Sequence, residues 1–486
     1  MQHPTIKKML AVQAYITPLR STSHHSAALR YSNCMACHKL CLPTLQNIGH
    51  RSANISNAFG SISNRGLVVL GMSGGVDSTV SALLLKAQGY NVVGVHMRSW
   101  DATEELGHCP GEKDWQSVKN ICTHILNIPC RQMDFTKEYW TQVFDPFLKD
   151  VRNGYTTNPD VQCNQMIKFG AFYERCQRDF QAGFKIAFGH YAQLGTDMNG
   201  RAALFKAKDS IKDQTYFLSQ VRQHVLQNVL FPIGHLSKRE VKQIARENNL
   251  EQIANGRESM GICFVGPRSF REFVGEYIQQ IPGSFVDEHG TSVGTHKGLS
   301  AYTIGQGASI PGTGTKYYVA YKDASTNTIR VVNDQLHPAL LCDSVTVGID
   351  GWNWISGCEP EDILTLETDD INAIDRTAGN PISHSGNSQS YRRGLPLTAK
   401  FRSRMQPVPV ALFKVKDANG NVEYIITFND RQYSVPEGQD IVVYQENICL
   451  GGGRITHTIS SFAWKPPTNN PPTLLSPPLT TTPTKM

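Results

Sequence analysis

The stretch GMSGGVDS, residues 71–78, decides how the amino-terminal part of the chain folds. It follows the apolar run Leu67–Leu70 and precedes Thr79–Ala87, a segment with helical periodicity, so the sequence predicts a buried strand, a tight loop and a helix. A strand that stops at glycines and leads directly into a helix directs unpaired backbone N–H groups and the positive end of the helix dipole at one spot. The sequence therefore predicts a phosphate-binding site at this loop.

The side chains of this glycine loop suit a nucleotide. The glycines let the backbone approach phosphates closely, Ser73 and Ser78 offer hydroxyl donors, and Asp77 is a candidate ligand for Mg²⁺. The spacing is not that of the Walker loop, because no Gly-Lys-Ser/Thr follows. An ordinary glycine-rich turn without a ligand is the alternative interpretation. The predicted nucleotide-binding residues of the loop are Gly71, Met72, Ser73, Gly74, Gly75, Val76, Asp77 and Ser78.

Residues 66–230 alternate strand-like and helix-like patterns. Further strands are predicted at Asn91–Met97, Pro129–Asp134 and Lys185–Phe188, an order typical of an α/β domain with a parallel sheet. Ligands of such sheets bind beyond the carboxyl ends of the strands. Met97 and Gly189 emerge at the same edge as the glycine loop, so both join the predicted nucleotide site.

The carboxy-terminal half has a different sequence pattern. Ser237–Glu240 forms a capping box that opens a helix. From about residue 284, short alternating runs are separated by Gly, Asn and Asp turns, and Asn419-Gly420 is a strong hairpin signal. These features predict a small all-β barrel or sandwich. The strands expected there include Tyr317–Tyr321, Ser344–Ile349, Val410–Val415 and Glu423–Phe428.

The formal charge of +6 is distributed unevenly along the chain. Residues 1–66 contain seven Lys or Arg and no Asp or Glu, so this leader carries +7 and leaves −1 for the remaining residues. An amino-terminal segment that lacks acidic residues and contains Arg and Ser is typical of an organelle transit peptide. A disordered basic tail without a targeting function is the alternative. A nucleic-acid substrate, if there is one, would have to be bound by local basic patches. No apolar run approaches the roughly 20 residues that span a bilayer.

The twelve cysteines predict neither structural disulfides nor a zinc site. An ATP-dependent enzyme of the cytosol or the mitochondrial matrix is not expected to hold structural disulfides. Cys34 and Cys37 have Cys-x-x-Cys spacing, but no second pair stands at zinc-finger distance. Two other cysteines lie in distinctive strings: Cys163 closes the string NPDVQC at residues 158–163, and Cys263 lies in GICF at residues 261–264.

The glycine loop resembles the pyrophosphatase loop, Ser-Gly-Gly-x-Asp-Ser, of enzymes that split ATP into AMP and pyrophosphate to adenylate a carbonyl oxygen. With the two cysteine strings following in this order, the chain resembles the tRNA-specific 2-thiouridylase family of the mitochondrial type. The resemblance extends from about residue 66 to 455. Further strings similar to the family are Gly189–Ala192, Lys212–Leu218, Tyr302–Gln306, Phe401–Arg404 and Val435–Gln439.

The resemblance implies ATP-dependent 2-thiolation of the wobble uridine, position 34, of mitochondrial tRNAs. Adenylation of uracil O2 would make AMP the leaving group at C2. A persulfide on Cys263 would then supply the sulfur, and Cys163 would attack the persulfide bond and leave a Cys163–Cys263 disulfide. Asp160 is the expected general acid or base beside Cys163.

The resemblance also implies which residues contact tRNA. An anticodon loop offers single-stranded bases that can be splayed out, and Asn158 is expected to hydrogen-bond the flipped base. The tRNA-contacting residues expected from the family are Asn158, Pro159, Asp160, His190, Lys212, Asp213, Gln214, Arg402, Ser403 and Gln439.

The predicted fold is α/β: a parallel-sheet ATP pyrophosphatase domain, a small central domain and a C-terminal all-β barrel. The expected boundaries are a transit peptide or disordered leader over 1–65, the catalytic domain over 66–230, the central domain with the second cysteine over 231–283, the barrel over 284–463 and a disordered tail over 464–486. A polar surface insertion is expected at 368–395.

Several partners follow from this assignment. We expect ATP with Mg²⁺, tRNA, an upstream persulfide relay protein and a reductant for the disulfide, in the mitochondrial matrix and away from membranes. Other adenylating enzymes with the same loop remain alternatives, namely 4-thiouridine synthetase, argininosuccinate synthase and GMP synthetase. A noncatalytic tRNA-binding protein is the alternative from a different class.

Overall fold

The computed structural model describes residues 65–100, 110–256, 270–367, 374–375, 380–381, 395–416 and 420–462. The expectations for the leader, the tail and most of the polar insertion at 368–395 concern residues outside these ranges. Within the described ranges, no helix combines the length and the apolar character that a bilayer crossing requires.

The first domain is built on a five-stranded sheet in which every pairing is parallel. Its central strand is buried on both faces, as the continuous apolar run Leu67–Leu70 predicts for a parallel sheet. The strand order is β3-β2-β1-β4-β7. The strands are β1 (Leu67–Gly71), β2 (Asn91–Arg98), β3 (Cys130–Asp134), β4 (Lys185–Ala187) and β7 (Val229–Leu230), with β5 (Gln193–Thr196) and β6 (Ala202–Phe205) between the last two.

Helices cover this sheet and continue toward the central domain. The capping box predicted at Ser237–Glu240 is confirmed at the start of α9. The helices are α1 (Val76–Ala87), α2 (Pro110–Asn120), α3 (Thr136–Tyr139), α4 (Asp145–Arg152), α5 (Pro159–Gln162), α6 (Phe172–Asp179), α7 (Thr215–Leu218), α8 (Gln223–Leu226), α9 (Lys238–Glu247), α10 (Glu251–Ala254) and α11 (Phe270–Tyr277). Three π-helical segments extend them at Ile121–Leu126, Trp140–Phe144 and Cys163–Ala171, and 3₁₀ turns lie at Leu299–Ala301, Pro338–Leu340 and Ile349–Gly351.

The rest of the described chain is mainly β-structure, which confirms the predicted fold class. The central five-stranded sheet has the order β10-β11-β12-β8-β9, and a larger sheet follows it that is antiparallel except where β15 pairs with β19. The predicted hairpin around Gly420 joins β19 to β20. The strands are β8 (Gly283–Val286), β9 (Ser292–His296), β10 (Gly307–Ser309), β11 (Lys316–Asp323), β12 (Thr328–Val332), β13 (Leu341–Gly348), β14 (Trp352–Trp354), β15 (Leu364–Glu367), β16 (Ile374–Asp375), β17 (Asn380–Pro381), β18 (Leu395–Lys400), β19 (Val408–Lys416), β20 (Val422–Tyr433), β21 (Asp440–Gln445), β22 (Ile448–Arg454) and β23 (His457–Ile459).

A hairpin of the first domain joins the large sheet of the third. β5 and β6 pair antiparallel, and β6 continues onto β22 with Phe205 opposite Ile448 and Leu204 opposite Cys449. The path through this sheet is β23-β13-β20-β19-β18-β21-β22-β6-β5. The first and third domains therefore share backbone hydrogen bonds.

Side chains reinforce this junction, which we call the interdomain seam. The Tyr216 hydroxyl donates to the carbonyl of Asp440 at 2.8 Å, and Gln220 Nε2 donates to the carbonyl of Gly452 at 2.7 Å. Asn353 Nδ2 donates to the carbonyl of Ser219 at 2.8 Å. The interdomain seam consists of Asp213, Thr215, Tyr216, Ser219, Gln220, Asn353, Lys400, Asp440, Tyr444 and Gly452.

Candidate active site

The glycine loop connects β1 to α1, as the sequence predicts. α1 begins at Val76, earlier than the periodicity indicates, because its first turn contains the polar residues Asp77 and Ser78. Gly75 has no side chain with which to cap this helix, and its carbonyl accepts a hydrogen bond from Ser78 Oγ at 3.1 Å. Ser73 Oγ and Ser78 Oγ lie 3.3 Å apart. Two hydroxyls and the backbone N–H groups of a helix start therefore converge on the loop, which suits a phosphate.

Asp77 is held by two groups that were not predicted from the sequence. Lys238 Nζ lies 2.8 Å from Asp77 Oδ1 and 2.7 Å from Oδ2, and the Tyr191 hydroxyl donates to Oδ1 at 2.8 Å. Lys238 is the first residue of α9, where the positive end of the helix dipole disfavours a cation. The carboxylate of Asp77 compensates for this placement, so α9 brings a lysine to the glycine loop from far along the chain.

Gln214 fixes the position of Tyr191. The backbone N–H of Tyr191 donates to Gln214 Oε1 at 2.9 Å, and the backbone N–H of Gln214 donates to the Tyr191 carbonyl at 2.9 Å. Because Tyr191 in turn contacts Asp77, these bonds connect Gln214 to the glycine loop. The amide oxygen of Gln214, which the family resemblance assigns to tRNA contact, is thus used inside the protein.

The chain that leaves β4 packs directly against the start of α1. A Cβ atom on Gly189 would meet the carbonyl carbon of Asp77 at 2.9 Å and the nitrogen of Ser78 at 3.0 Å, so this position requires glycine. Met97 is partly buried near the carboxyl end of β2, beside β1. Both residues predicted to complete the nucleotide site thus emerge at the same sheet edge as the loop.

The string at residues 158–163 forms a helix start. Asn158 caps α5, and its Oδ1 accepts the backbone N–H of Asp160 at 3.1 Å, with Pro159 in the first turn. Since the oxygen serves as a cap, the Asn158 amide nitrogen is the group that could meet a base. Cys163 is half-buried and opens the π-helical segment. Such segments are frequent at functional sites.

The pKa values of Asp160 and His190 are shifted, and the charge of Lys168 affects both values. Burial raises the pKa of Asp160, and the positive charge of Lys168 opposes that shift. Burial, followed by Lys168, holds the pKa of His190 well below its usual value, and Lys168 Nζ lies 3.4 Å from His190 Nε2. A buried carboxyl with a raised pKa keeps its proton to a higher pH than an exposed one and can act as an acid or a base, whereas the buried imidazole stays neutral.

The remaining expected tRNA contacts lie in different environments. Lys212 is half-buried, while Asp213 is buried and accepts hydrogen bonds from the Ala207 N–H at 3.0 Å and Thr215 Oγ1 at 2.8 Å. In the third domain, Arg402 is exposed, and Ser403 and Gln439 are half-buried. Arg402 donates to the carbonyl of Ser434, and Gln439 Oε1 accepts from the Tyr216 hydroxyl at 3.3 Å. Contact of these residues with tRNA stays a prediction.

Cys263 lies outside the described residues, and its pairing with Cys163 stays a prediction. Among the residues that the structure describes, no group of three or more His, Cys, Asp or Glu side chains could hold a metal ion. Mg²⁺ at Asp77 stays a prediction: that ion usually takes only one or two protein carboxylates and completes its shell with phosphates and water, and Asp77 would have to give up a contact with Lys238 to become one of them.

Comparisons with known proteins agree with this geometry. Three family models match successive parts of the chain: the tRNA methyl transferase HUP domain over residues 66–267, the tRNA methyl transferase PRC-barrel domain over 271–333, and the aminomethyltransferase beta-barrel domain over 377–455. The tRNA-specific 2-thiouridylase MnmA of Oceanobacillus iheyensis is 40% identical over 401 residues, which cover 81% of this chain and 96% of the relative. The enzyme of the same name from Lacticaseibacillus paracasei is 39% identical over 393 residues, or 80% of this chain and 93% of the relative.

Proposed function

The chain belongs to the tRNA-specific 2-thiouridylase family, and from this premise we propose that it thiolates mitochondrial tRNAs in the matrix. It is a sulfurtransferase that uses ATP to place sulfur on C2 of the wobble uridine of tRNA. This activity replaces the alternatives of another adenylating enzyme and of a noncatalytic RNA-binding protein. The observation that supports a mitochondrial substrate is the leader of residues 1–66, which carries +7 and no acidic residue. The first family match begins at residue 66, where this leader ends.

In the proposed mechanism, the glycine loop binds the phosphates of ATP. The α1 N–H groups and the hydroxyls of Ser73 and Ser78 meet the anionic oxygens, and Asp77 would hold Mg²⁺. The metal would neutralise phosphate charge. Lys238 adds a cation on the same side of the loop, where it offsets the negative charge of Asp77. Attack of uracil O2 on the α-phosphorus then releases pyrophosphate and leaves AMP on O2.

Sulfur transfer is assigned to the two cysteines. The terminal sulfur of a Cys263 persulfide attacks C2 of the activated base, and AMP leaves with the electrons of the C2–O2 bond. Cys163 then attacks Sγ of Cys263, the bond to the transferred sulfur breaks, and a Cys163–Cys263 disulfide forms. Asp160 lies in the short helix that leads into Cys163, and burial raises its pKa. It acts as the general acid or base for the proton of the Cys163 thiol. A relay protein supplies the persulfide sulfur, and a reductant restores the two thiols.

Labelled sulfur tests the two cysteine roles separately. Cys263→Ser should accept no persulfide sulfur, whereas Cys163→Ser should load sulfur but not complete transfer to tRNA. The double variant should be no worse than the more severe single variant. Cys358→Ser, at an exposed position of the third domain, is the matched control and should transfer sulfur normally. Efficient thiolation under reducing conditions by either single variant would remove that cysteine from the mechanism.

A reporter fusion tests the location. Residues 1–66 fused to a fluorescent protein should direct it into mitochondria. A matched leader in which all seven Lys and Arg are replaced by Gln should leave the reporter in the cytosol, because import of such leaders depends on their positive charge. Cytosolic fluorescence from the unaltered leader would overturn the mitochondrial proposal and leave the thiolation chemistry intact.

A further inference from the structure

A basic cavity lies beside the interdomain seam, and its lining residues include neither the glycine loop nor Cys163. Its volume is about 600 Å³, which is within the range of pockets that bind a nucleotide-sized ligand. One wall is formed by β6 and the residues that follow it in the first domain. The Gln406–Pro407 loop and Asn447 of the third domain form the opposite wall.

Three lysines line this cavity, and they come from both domains. Lys206 and Lys208 follow β6, and Lys400 ends β18. Lys400 is only 6% exposed, which is unusual for a lysine, and its ammonium lies 3.7 Å from Asp213 Oδ2. Of the described residues that line the cavity, Asp213 is the one carboxylate.

The positive charge of the cavity is only partly compensated: Lys208 pairs with Glu240 and Lys400 with Asp213, whereas Lys206 Nζ donates to the uncharged carbonyl of Glu446 at 2.8 Å. The Lys206 and Lys400 ammonium groups lie over the same Tyr444 ring, at 4.6 and 5.8 Å from its centroid. Burial lowers the pKa of Lys206, and the neighbouring charge of Lys400 lowers it further. Asp213 also accepts hydrogen bonds from Ala207 and Thr215, so it is shared among several donors. An anion that entered the cavity would relieve the repulsion between the two lysines.

The position of the cavity indicates the source of this anion. Asp213 adjoins Lys212, and the Gln406–Pro407 loop lies a few residues beyond Arg402; both Lys212 and Arg402 are expected tRNA contacts. Residues 67–486 carry a net charge of −1, so RNA binding depends on local basic patches of this kind. We propose that the cavity between β6 and the Gln406–Pro407 loop binds a backbone phosphate of the tRNA, together with its nucleoside. This inference rests on tRNA being the substrate.

The salt dependence of tRNA binding tests the proposal. Each phosphate contact contributes about 0.7 to 0.9 to the slope of log affinity against log salt concentration. Lys206→Gln should therefore lower the slope by about that amount and weaken binding at low salt. Lys208→Gln should act in the same direction. It removes a lysine that is half exposed at its side chain and paired with Glu240, so a folding defect is less expected.

The matched control is Lys149→Gln. Lys149 lies on α4, forms an exposed ion pair with Asp145, and is not among the residues that line the cavity. Its loss removes the same charge and should leave the slope unchanged. Thermal unfolding midpoints of all variants should stay close to that of the unaltered protein, which excludes a loss of folding as the cause.

Titration with inorganic pyrophosphate separates the two possible sources of phosphate. If pyrophosphate binding depends on Lys206 while the slope for tRNA does not, the cavity is a small-anion site and the proposal is wrong. Equal slopes for Lys206→Gln, Lys208→Gln and the unaltered protein also overturn it. If the unaltered protein itself binds tRNA without any salt dependence, the tRNA substrate rather than the cavity is in question.

Discussion

The glycine loop and the interdomain seam both contain residues from short family-like strings, but they are assembled over different distances. The loop places Ser73, Asp77 and Ser78 together through a single strand-to-helix turn. In the seam, Tyr216 and Asp440 are 224 residues apart in sequence, and Gln220 and Gly452 are 232 apart. Local geometry can be recognised in a sequence, whereas pairings across such distances depend on how two domains dock.

One string shows this difference within a few residues. In Lys212–Leu218, Gln214 faces the first domain, where it holds Tyr191 beside Asp77. Asp213 and Tyr216 face the seam, where they contact Lys400 and the Asp440 carbonyl. The string thus joins the nucleotide loop to the third domain. A substrate contact is not needed to explain why these residue types stand together.

The largest effect is expected at the loop. Asp77→Asn and Ser73→Ala should each lower AMP formation by at least about 100-fold, because they remove groups that stabilise charge during adenylation. The tRNA affinity should change little, since the loop is expected to contact phosphate rather than RNA. The unfolding midpoint should fall more for Asp77→Asn than for Ser73→Ala, because Asp77 also pairs with Lys238. AMP release and tRNA binding should be measured on the same preparations. Asp145→Asn, at an exposed ion pair on α4, is the control. Normal AMP formation in both loop variants would refute the assignment of the loop.

At the interdomain seam, a substitution should lower the stability of the fold and leave AMP formation nearly unchanged. Asp213→Ala should destabilise the fold by about 3 kcal/mol, because it leaves the buried Lys400 without its carboxylate. AMP formation per folded molecule should be nearly unchanged. Adding Lys400→Met should recover part of the stability, which urea unfolding of the two single variants and the double variant would measure. Loss of AMP formation without loss of stability would instead give Asp213 a catalytic role.

Much of the fold could be predicted because it depends on local patterns. The strands at Leu67–Gly71 and Asn91–Arg98, and the capping box at Ser237, lie where apolar runs and capping residues place them. The pairing of β6 with β22 was not predicted, because neither strand carries a signal for its partner. Docking of domains is decided by the fit of whole surfaces, which a single sequence does not display.

The same distinction between local patterns and distant contacts applies to the candidate site. The loop and the placement of Gly189 were predicted, since each depends on a short string with a recognisable backbone geometry. The helix start at Asn158 was not predicted, because Asn-Pro-Asp is equally typical of a turn. Lys238 and Tyr191 were missed as partners of Asp77. A signal for Lys238 was present, because a lysine in the first turn of a helix opposes the dipole and therefore indicates a nearby acid or anion.

A third prediction concerns Lys238, which belongs to the loop in space but not in sequence. Lys238→Met should lower AMP formation about tenfold and raise the KM for ATP, because it removes a cation beside the phosphates. Lys242→Met, one turn further along α9, is the control and should keep both values. Lys238→Arg should restore part of the activity by retaining the charge. If Lys238→Met only lowers the unfolding midpoint, the residue supports the fold rather than the chemistry.

The smallest predicted effect is a pH dependence confined to the seam. Burial raises the pKa of Asp440 to about 7, although Arg454 opposes the shift. In the unfolded chain this carboxyl titrates near 4, so between about pH 4 and 7 the folded state binds more protons and the stability falls as pH rises toward and through 7. From pH 6 to 8 the unaltered protein should therefore lose about 1 kcal/mol more stability than Asp440→Asn. Urea unfolding at both pH values measures this difference, with the exposed Asp350→Asn as a control that should follow the unaltered protein. Parallel pH profiles for Asp440→Asn and the unaltered protein would mean that the Asp440 carboxylate is stabilised in the seam as well as it is in water.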